Sequence, residues 1–175
     1  MKSLLQQLNW IEAPLCRAAN QRGDLLETQH FFRVISRLGD GVFWYVLMIL
    51  LPAWYGTEGL TTSLQMLLVG GASLLVYKTL KITTLRDRPC DFHSDIRAHG
   101  PKLDRYSFPS GHTMHAVGFT AVIMGNFPQL GLVLTPFVFL IASSRLVLGL
   151  HYPSDVVVGA VIGGGMAWAS FQYLF

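Results

Sequence analysis

Three short clusters in this sequence combine residue types that can bind and react with an anion. The first runs from Lys81 to Pro89 and carries two cations, Lys81 and Arg88, seven residues apart, about two helical turns. If a helix continues past Lys81 both cations lie on one face, although Pro89 disfavours helix at Arg88. Taken alone, this cluster reads more readily as a basic helix end that meets the helix dipole and lipid headgroups. The second cluster is Pro109-Ser110-Gly111-His112, just ahead of an apolar helix. Ser110 is a natural N-cap, Gly111 permits close backbone approach to a ligand, and a helix N-terminus attracts anions. A plain capping turn explains Ser110 but gives His112 no task. The third cluster runs from Ser144-Arg145 to His151 and Asp155. A cation inside an apolar helix, as at Arg145, is expensive and points to function. A carboxylate near an imidazole, as with Asp155 and His151, fixes its tautomer and supports positive charge on it. The alternative is a His–Asp pair that staples two helices.

Together these clusters supply three cations, a helix-start anion nest, two histidines and one carboxylate. Phosphoryl transfer needs that set, because its catalysis is mostly positioning and stabilisation of charge on the phosphoryl oxygens. One imidazole can attack phosphorus and form a covalent intermediate, while the second protonates the leaving oxygen and later activates water. With Lys and Arg meeting the charge, no metal or other cofactor is called for, and no acidic cluster suited to magnesium is present.

The elements that must position these groups are helices in a membrane. Only 13% of the 175 residues are charged, against about 25% in soluble domains. Five apolar stretches run from Val42 to Tyr55, Leu60 to Leu80, Ser110 to Phe127, Leu130 to Leu150 and Val156 to Phe175. A span needs about 20 apolar residues. The first stretch is short and holds Pro52, and the third reaches that length only if Ser110 to Met114 lie near the surface. Tight connections are expected at Thr57 to Gly59 and at Pro128-Gln129. In the last stretch Gly159, Gly163 and Ala167 recur every four residues, a small-residue stripe suited to close packing within the bundle. Residues 1–40 are amphipathic, with Leu4, Leu5, Leu8, Ile11 and Leu15 in one helix. A break at Gly23-Asp24 precedes Phe31, Phe32, Ile35 and Leu38 in another. Such helices suit the membrane interface, and packing on the rest of the protein is the equal alternative. The expected fold is an all-α, polytopic membrane helix bundle forming one domain over residues 1–175, with interfacial helices in 1–40 and the bundle in 41–175. No signal peptide is visible in the first 40 residues, and Cys16 and Cys90 are expected as free thiols.

The three clusters resemble the signatures of the type 2 phosphatidic acid phosphatases: Lys, six residues, Arg-Pro; Pro-Ser-Gly-His; and Ser-Arg, five residues, His, three residues, Asp. All three occur here at full spacing and in order, and the resemblance covers roughly residues 60–175. It implies a metal-independent lipid phosphatase working through phosphohistidine. His151 would be the nucleophile, Asp155 its orienting carboxylate and His112 the leaving-group acid. Lys81, Arg88 and Arg145 would hold the phosphate, with Ser110 and the Gly111 backbone completing the cradle. Membrane members of the family act on phosphatidate, phosphatidylglycerol phosphate, isoprenoid pyrophosphates or lipid A phosphates, and the apolar stretches argue against the soluble branches.

The expected partners are a membrane lipid phosphate and the bilayer, with no nucleic acid. A phosphotransferase using the same site, or a non-catalytic binder of lipid phosphates, are the rival readings. The chain departs from the family in span count, five against the six common in membrane members. Folded up and down, the spans put all 13 Lys and Arg residues on or near the face that carries the clusters. The positive-inside rule then places that face in the cytoplasm of a bacterial inner membrane, the reverse of familiar bacterial members. His115 is read equally as a lipid-entry residue or a packed helix histidine. Arg86, His93, His99 and Arg105 are expected in a solvated loop, with contact to a second phosphate of a pyrophosphate as the lesser alternative.

Overall fold

The computed structural model describes residues 2–174, with side chains from Leu5 onward, and every regular element among them is helical. The helices are α1 (Lys2–Arg22), α2 (Leu26–Leu38), α3 (Val42–Thr84), α4 (Pro89–Phe92), α5 (Gly111–Asn126), α6 (Pro128–Val147) and α7 (Pro153–Tyr173). The side chains of Leu4 and Phe175, both part of the sequence pattern, lie outside the described residues.

α3 is two helices joined at one residue. Gly56 takes φ 58° and ψ −130°, a conformation open to a residue without Cβ, and the chain reverses there. Arm 42–55 then folds back on arm 57–84. The Ser63 hydroxyl donates to the Met48 carbonyl at 2.7 Å, and a Cβ on Gly59 would lie 2.1 Å from the Leu51 carbonyl oxygen. The hairpin expected at 57–59 is thus made one residue earlier, and the first arm carries Pro52 within its helix.

This break gives five apolar helical segments. α3, α6 and α7 are long and apolar enough to cross a membrane by length and composition. The 16 residues of α5 rise about 24 Å, short of a ~30 Å hydrocarbon core. α5 runs through the middle of the bundle, and α7 lies against it along the small-residue stripe. A Cβ on Gly159 would come 2.6 Å from the Ser110 carbonyl oxygen, and one on Gly163 would come 2.1 Å from that of Met114. The stripe therefore serves packing within the chain. Trp44, Leu51, Met66, Phe119, Ile123 and Ile141 fill the buried core around it.

The amphipathic helices lie on the bundle in an unexpected orientation. α1 buries a stripe of Asn9, Ala13, Cys16 and Asn20 and turns Ile11 (73% exposed) and Leu15 (58%) outward. Polar groups grip the protein. The Asn20 amide donates to the Arg97 and Val147 carbonyls at 2.9 and 3.0 Å and accepts from the Arg97 N–H at 2.9 Å. α2 likewise buries Ile35 and Ser36 and exposes Leu26, Phe31, Val34 and Leu38. Packing on the rest of the protein therefore uses the polar and small-residue face of α1, while apolar side chains of both helices stay exposed. Cys16 and Cys90 are free thiols.

Gly163→Ala should push its new methyl into the α5 backbone, a strain of the kind that costs about 1–3 kcal/mol. Gly165→Ala, with open space around its Cβ position, is the control. Thermal unfolding in detergent should show a lowered midpoint for the first variant and little change for the second.

Candidate active site

A cavity of about 420 Å³ lies where the α2–α3 turn, both arms of α3 and the N-terminus of α5 meet. Its polar floor is formed by Lys81, Arg88, His112, Arg145 and His151, and its apolar wall includes Trp44, Met48, Leu67 and Phe119. Tyr45, Leu67 and Leu74 also line it and are largely exposed on the outer apolar surface. The space therefore runs from the buried cations to the lipid-facing side of the bundle.

Local backbone geometry explains how the cations converge. α3 ends at Thr84, and its C-cap Leu85 has φ 50°, the left-handed turn that commonly closes a helix. Arg88 is extended, with φ −74° and ψ 154°, as a residue before proline prefers. Lys81 and Arg88 therefore do not share a helix face; the turn after Thr84 brings Arg88 back toward the cavity. Arg88 is 1% exposed. Its Nη1 donates to the Leu150 carbonyl at 2.8 Å and lies 3.4 Å from His151 Nε2, and its Nε donates to the Asp104 carbonyl at 2.9 Å. Lys81 Nζ sits 2.7 Å from Asp104 Oδ2, which also accepts from the Tyr77 hydroxyl. Burial raises the Asp104 carboxyl, but hydrogen bonds from Lys81 and Tyr77 outweigh it and leave the group below the usual carboxylate range. Arg145, in the last turn of α6, donates to the Ser36 hydroxyl. Its buried Nε has no partner among the described residues, which leaves a donor for an anionic ligand.

His151 stands on the connection between α6 and α7. Gly149 turns the chain there with φ 71°, and a Cβ at that position would come 2.4 Å from the Arg97 carbonyl oxygen. Burial, followed by the charges of Arg145, Arg88 and Lys81, holds the His151 ring well below the ordinary imidazole range. The ring is therefore neutral, with a lone pair available. Its Nδ1 lies 3.5 Å from Asp155 Oδ2, longer than a normal hydrogen bond. Asp155, in the first turn of α7, is fully buried. It accepts from the Tyr152 N–H at 2.9 Å and from Arg86 Nη1 at 2.6 Å.

Two expectations need correction. Ser110 is the N-cap residue of α5, but its hydroxyl pairs with the Thr113 hydroxyl at 2.9 Å and makes no cap bond to the backbone. Its N–H donates to the Asp155 carbonyl at 3.0 Å. Ser110 therefore ties α5 to α7 beneath the cavity, and Gly111 and His112 reach the lining. The polar segment is also less solvated than expected, because α1 and α2 cover it. His93 Nε2 lies 3.3 Å from the Asn9 carbonyl, and His99 Nδ1 lies 2.8 Å from Gln29 Nε2. Arg86 is 2% exposed. It donates to Asp155, to Glu12 at 2.7 Å, to Asn9 at 2.9 Å and to Ser154 at 2.7 Å, and stacks on the Tyr152 ring. None of these three lines the cavity. Arg105 stays exposed, over the Tyr106 ring. His115 both packs and lines: its ring nitrogens lie 2.9 Å from the Gly111 carbonyl and 3.3 Å from that of Gly70, and it faces the cavity.

Sequence reasoning gave Arg86 a different place, in a solvated loop, and missed three contributors: Tyr77, Asp104 and Asp40, whose carboxylate meets His112 Nε2. Arg86 carries no local sign of its burial, since that depends on α1, which covers it. The other three depend on contacts between distant parts of the chain.

The comparisons with known proteins agree with this geometry. The family model of the PAP2 superfamily matches residues 62–175. The chain is 32% identical over 137 residues to the decaprenylphosphoryl-5-phosphoribose phosphatase of Mycobacterium tuberculosis, covering 75% of this chain and 72% of that protein. It is 37% identical over 72 residues to the lipid A 4'-phosphatase of Bacteroides thetaiotaomicron, covering 40% of this chain and 32% of that one. The match thus spans about a third of that longer curated relative. Among solved structures, Aquifex aeolicus LpxE superposes with a TM-score of 0.79 at 28% identity, covering 93% of this chain and 96% of that one. The matched region contains all three clusters, and the fold gathers their cations and histidines around one cavity, so the chain belongs to the PAP2 superfamily.

Proposed function

We propose that this chain is an integral membrane lipid phosphatase that hydrolyses a lipid phosphomonoester or pyrophosphate through a phosphohistidine at His151. The observation that carries this reading is the His151 ring, with Nε2 3.4 Å from Arg88 Nη1, in a cavity that joins buried cations to the apolar outer surface. Lys81, Arg88 and Arg145 hold the phosphoryl oxygens, assisted by the start of α5 at Gly111. His151 attacks phosphorus, Asp155 positions its ring, and His112 serves the leaving oxygen. The apolar wall accommodates the lipid tail, which enters sideways between the arms of α3. The named activities of the relatives, on a lipid A phosphate and a decaprenyl-linked phosphoribose, support a lipid substrate here.

Detergent-purified protein should release inorganic phosphate from a panel of phosphatidate, phosphatidylglycerol phosphate and undecaprenyl pyrophosphate with EDTA present. His151→Ala should lower turnover by about 10³-fold or more while the protein stays folded. Well-folded wild type that releases phosphate from none of these lipids would sink the reading.

Arg86 supports the site from behind. Arg86→Gln leaves the Asp155 carboxylate buried without its cation, a change worth about 3–5 kcal/mol in comparable buried pairs. A clear drop in the detergent unfolding midpoint, together with lost turnover, is expected. Unchanged values in both would remove Arg86 from this role.

We place the protein in a bacterial inner membrane with the active-site face cytoplasmic, on the charge asymmetry between the two faces. In a Cys90→Ser background, Arg105→Cys should react with a membrane-impermeant maleimide only after the inner membrane is opened. Labelling before opening would reverse the orientation.

A further inference from the structure

We propose that Asp40, in the turn between α2 and α3, is a positioning residue that orients the His112 ring and stabilises its charged form as proton donor to the leaving oxygen. The proposal rests on the reading of His112 as the leaving-group acid. Asp40 lies outside residues 62–175, the stretch the family model matches. Its carboxylate meets His112 Nε2, and both residues line the cavity.

The turn is built to present this side chain. Gly41 takes φ 118°, a conformation that favours glycine. A Cβ on Gly39 would lie 3.1 Å from the Ile141 side chain, so the turn is pressed against α6. The Asp40 N–H donates to the Arg37 carbonyl at 3.2 Å, which fixes the turn from within.

The charges around the cavity show why such a partner is needed. An imidazolium at His112 faces a floor that already holds Lys81, Arg88 and Arg145, and like charges disfavour a further one. The other carboxylates nearby are committed. Asp104 is taken by Lys81 and Tyr77, and Asp155 by Arg86 and the Tyr152 N–H. Asp40 is the carboxylate in contact with His112 among the described residues. With Nε2 in ion-pair contact with the Asp40 carboxylate, Nδ1 is the nitrogen left to serve the substrate, as in other pairs where a carboxylate fixes a catalytic imidazole.

The reaction balances on this arrangement. The His151 Nε2 lone pair forms a bond to phosphorus while the phosphorus–oxygen ester bond breaks. The electron pair of that bond goes to the leaving oxygen, which takes the proton from His112 and departs as an alcohol. Neutral His112 then takes a proton from water as the water oxygen attacks phosphorus. The phosphorus–nitrogen bond breaks, its pair returns to His151, and inorganic phosphate leaves with His112 charged again. Asp40 stabilises His112 before the first step and after the second.

The test varies the need for that proton. Two phosphate esters with the same apolar tail are compared, one of an alkyl alcohol and one of a nitrophenol, which leaves without help. Asp40→Asn should lower turnover of the alkyl ester by about 10- to 100-fold, within the range of a general-acid contribution, and that of the nitrophenyl ester by less than about 3-fold. Asp40→Glu should recover part of the loss. Adding Asp40→Asn to His112→Asn should cost little more than His112→Asn alone, since groups acting as a unit are not additive. Equal losses on both esters would mark Asp40 as merely structural and overturn the proposal, as would full activity on the alkyl ester. Wild type inactive on both esters would overturn the phosphatase reading and this assignment with it.

Discussion

Three cations buried around one imidazole set the terms for the rest of this structure. Lys81, Arg88 and Arg145 are each less than a tenth exposed, and taking such charges out of water is costly unless each finds compensation. Compensation comes from distant parts of the chain. Asp104 meets Lys81, backbone carbonyls of Asp104 and Leu150 meet Arg88, and Ser36 meets Arg145. What remains uncompensated is a concentration of positive charge aimed at a small space. Burial lowers the His151 ring below the ordinary imidazole range, and the charge that would hold a phosphate lowers it further, so binding and nucleophile activation share part of one electrostatic cause.

The helix packing delivers the parts of this arrangement to one another. Glycines on α7 let its backbone approach the start of α5, and there the Ser110 N–H meets the Asp155 carbonyl. The second and third clusters of the sequence are thereby tied by main chain as well as by side chain. The first cluster joins through Arg86, whose guanidinium reaches Asp155 from the opposite side. Glu12 of α1 binds both Arg86 and the Ser154 N–H at the N-terminus of α7, where a carboxylate also suits the helix dipole.

The chemistry was more legible in the sequence than its supports. Arg145 stood out because a cation inside an apolar helix is costly, and Lys81, Arg88, His112 and His151 stood out only as parts of three clusters read together; all five line one cavity. The small-residue stripe of α7 was readable because its period is local. Asp40 and Asp104 were not, because an acidic residue in a turn or loop carries no local sign of the partner it will meet. Arg86 was misread for a related reason: whether a loop is solvated depends on what covers it, and the cover here is the N-terminal pair of helices. The left-handed turn at Leu85 was equally hidden, since nothing at a leucine favours positive φ.

The orientation of α1 carries one more consequence. Its outward face shows Ile11 and Leu15 to the surroundings, while its inward face carries the carboxylate that grips Arg86 behind Asp155. The helix thus joins an exposed apolar surface to the support of Asp155, the carboxylate beside His151. That carboxylate is therefore braced by an element that lies outside the family-matched residues 62–175, through Glu12 and Asn9 on Arg86 and Glu12 on Ser154.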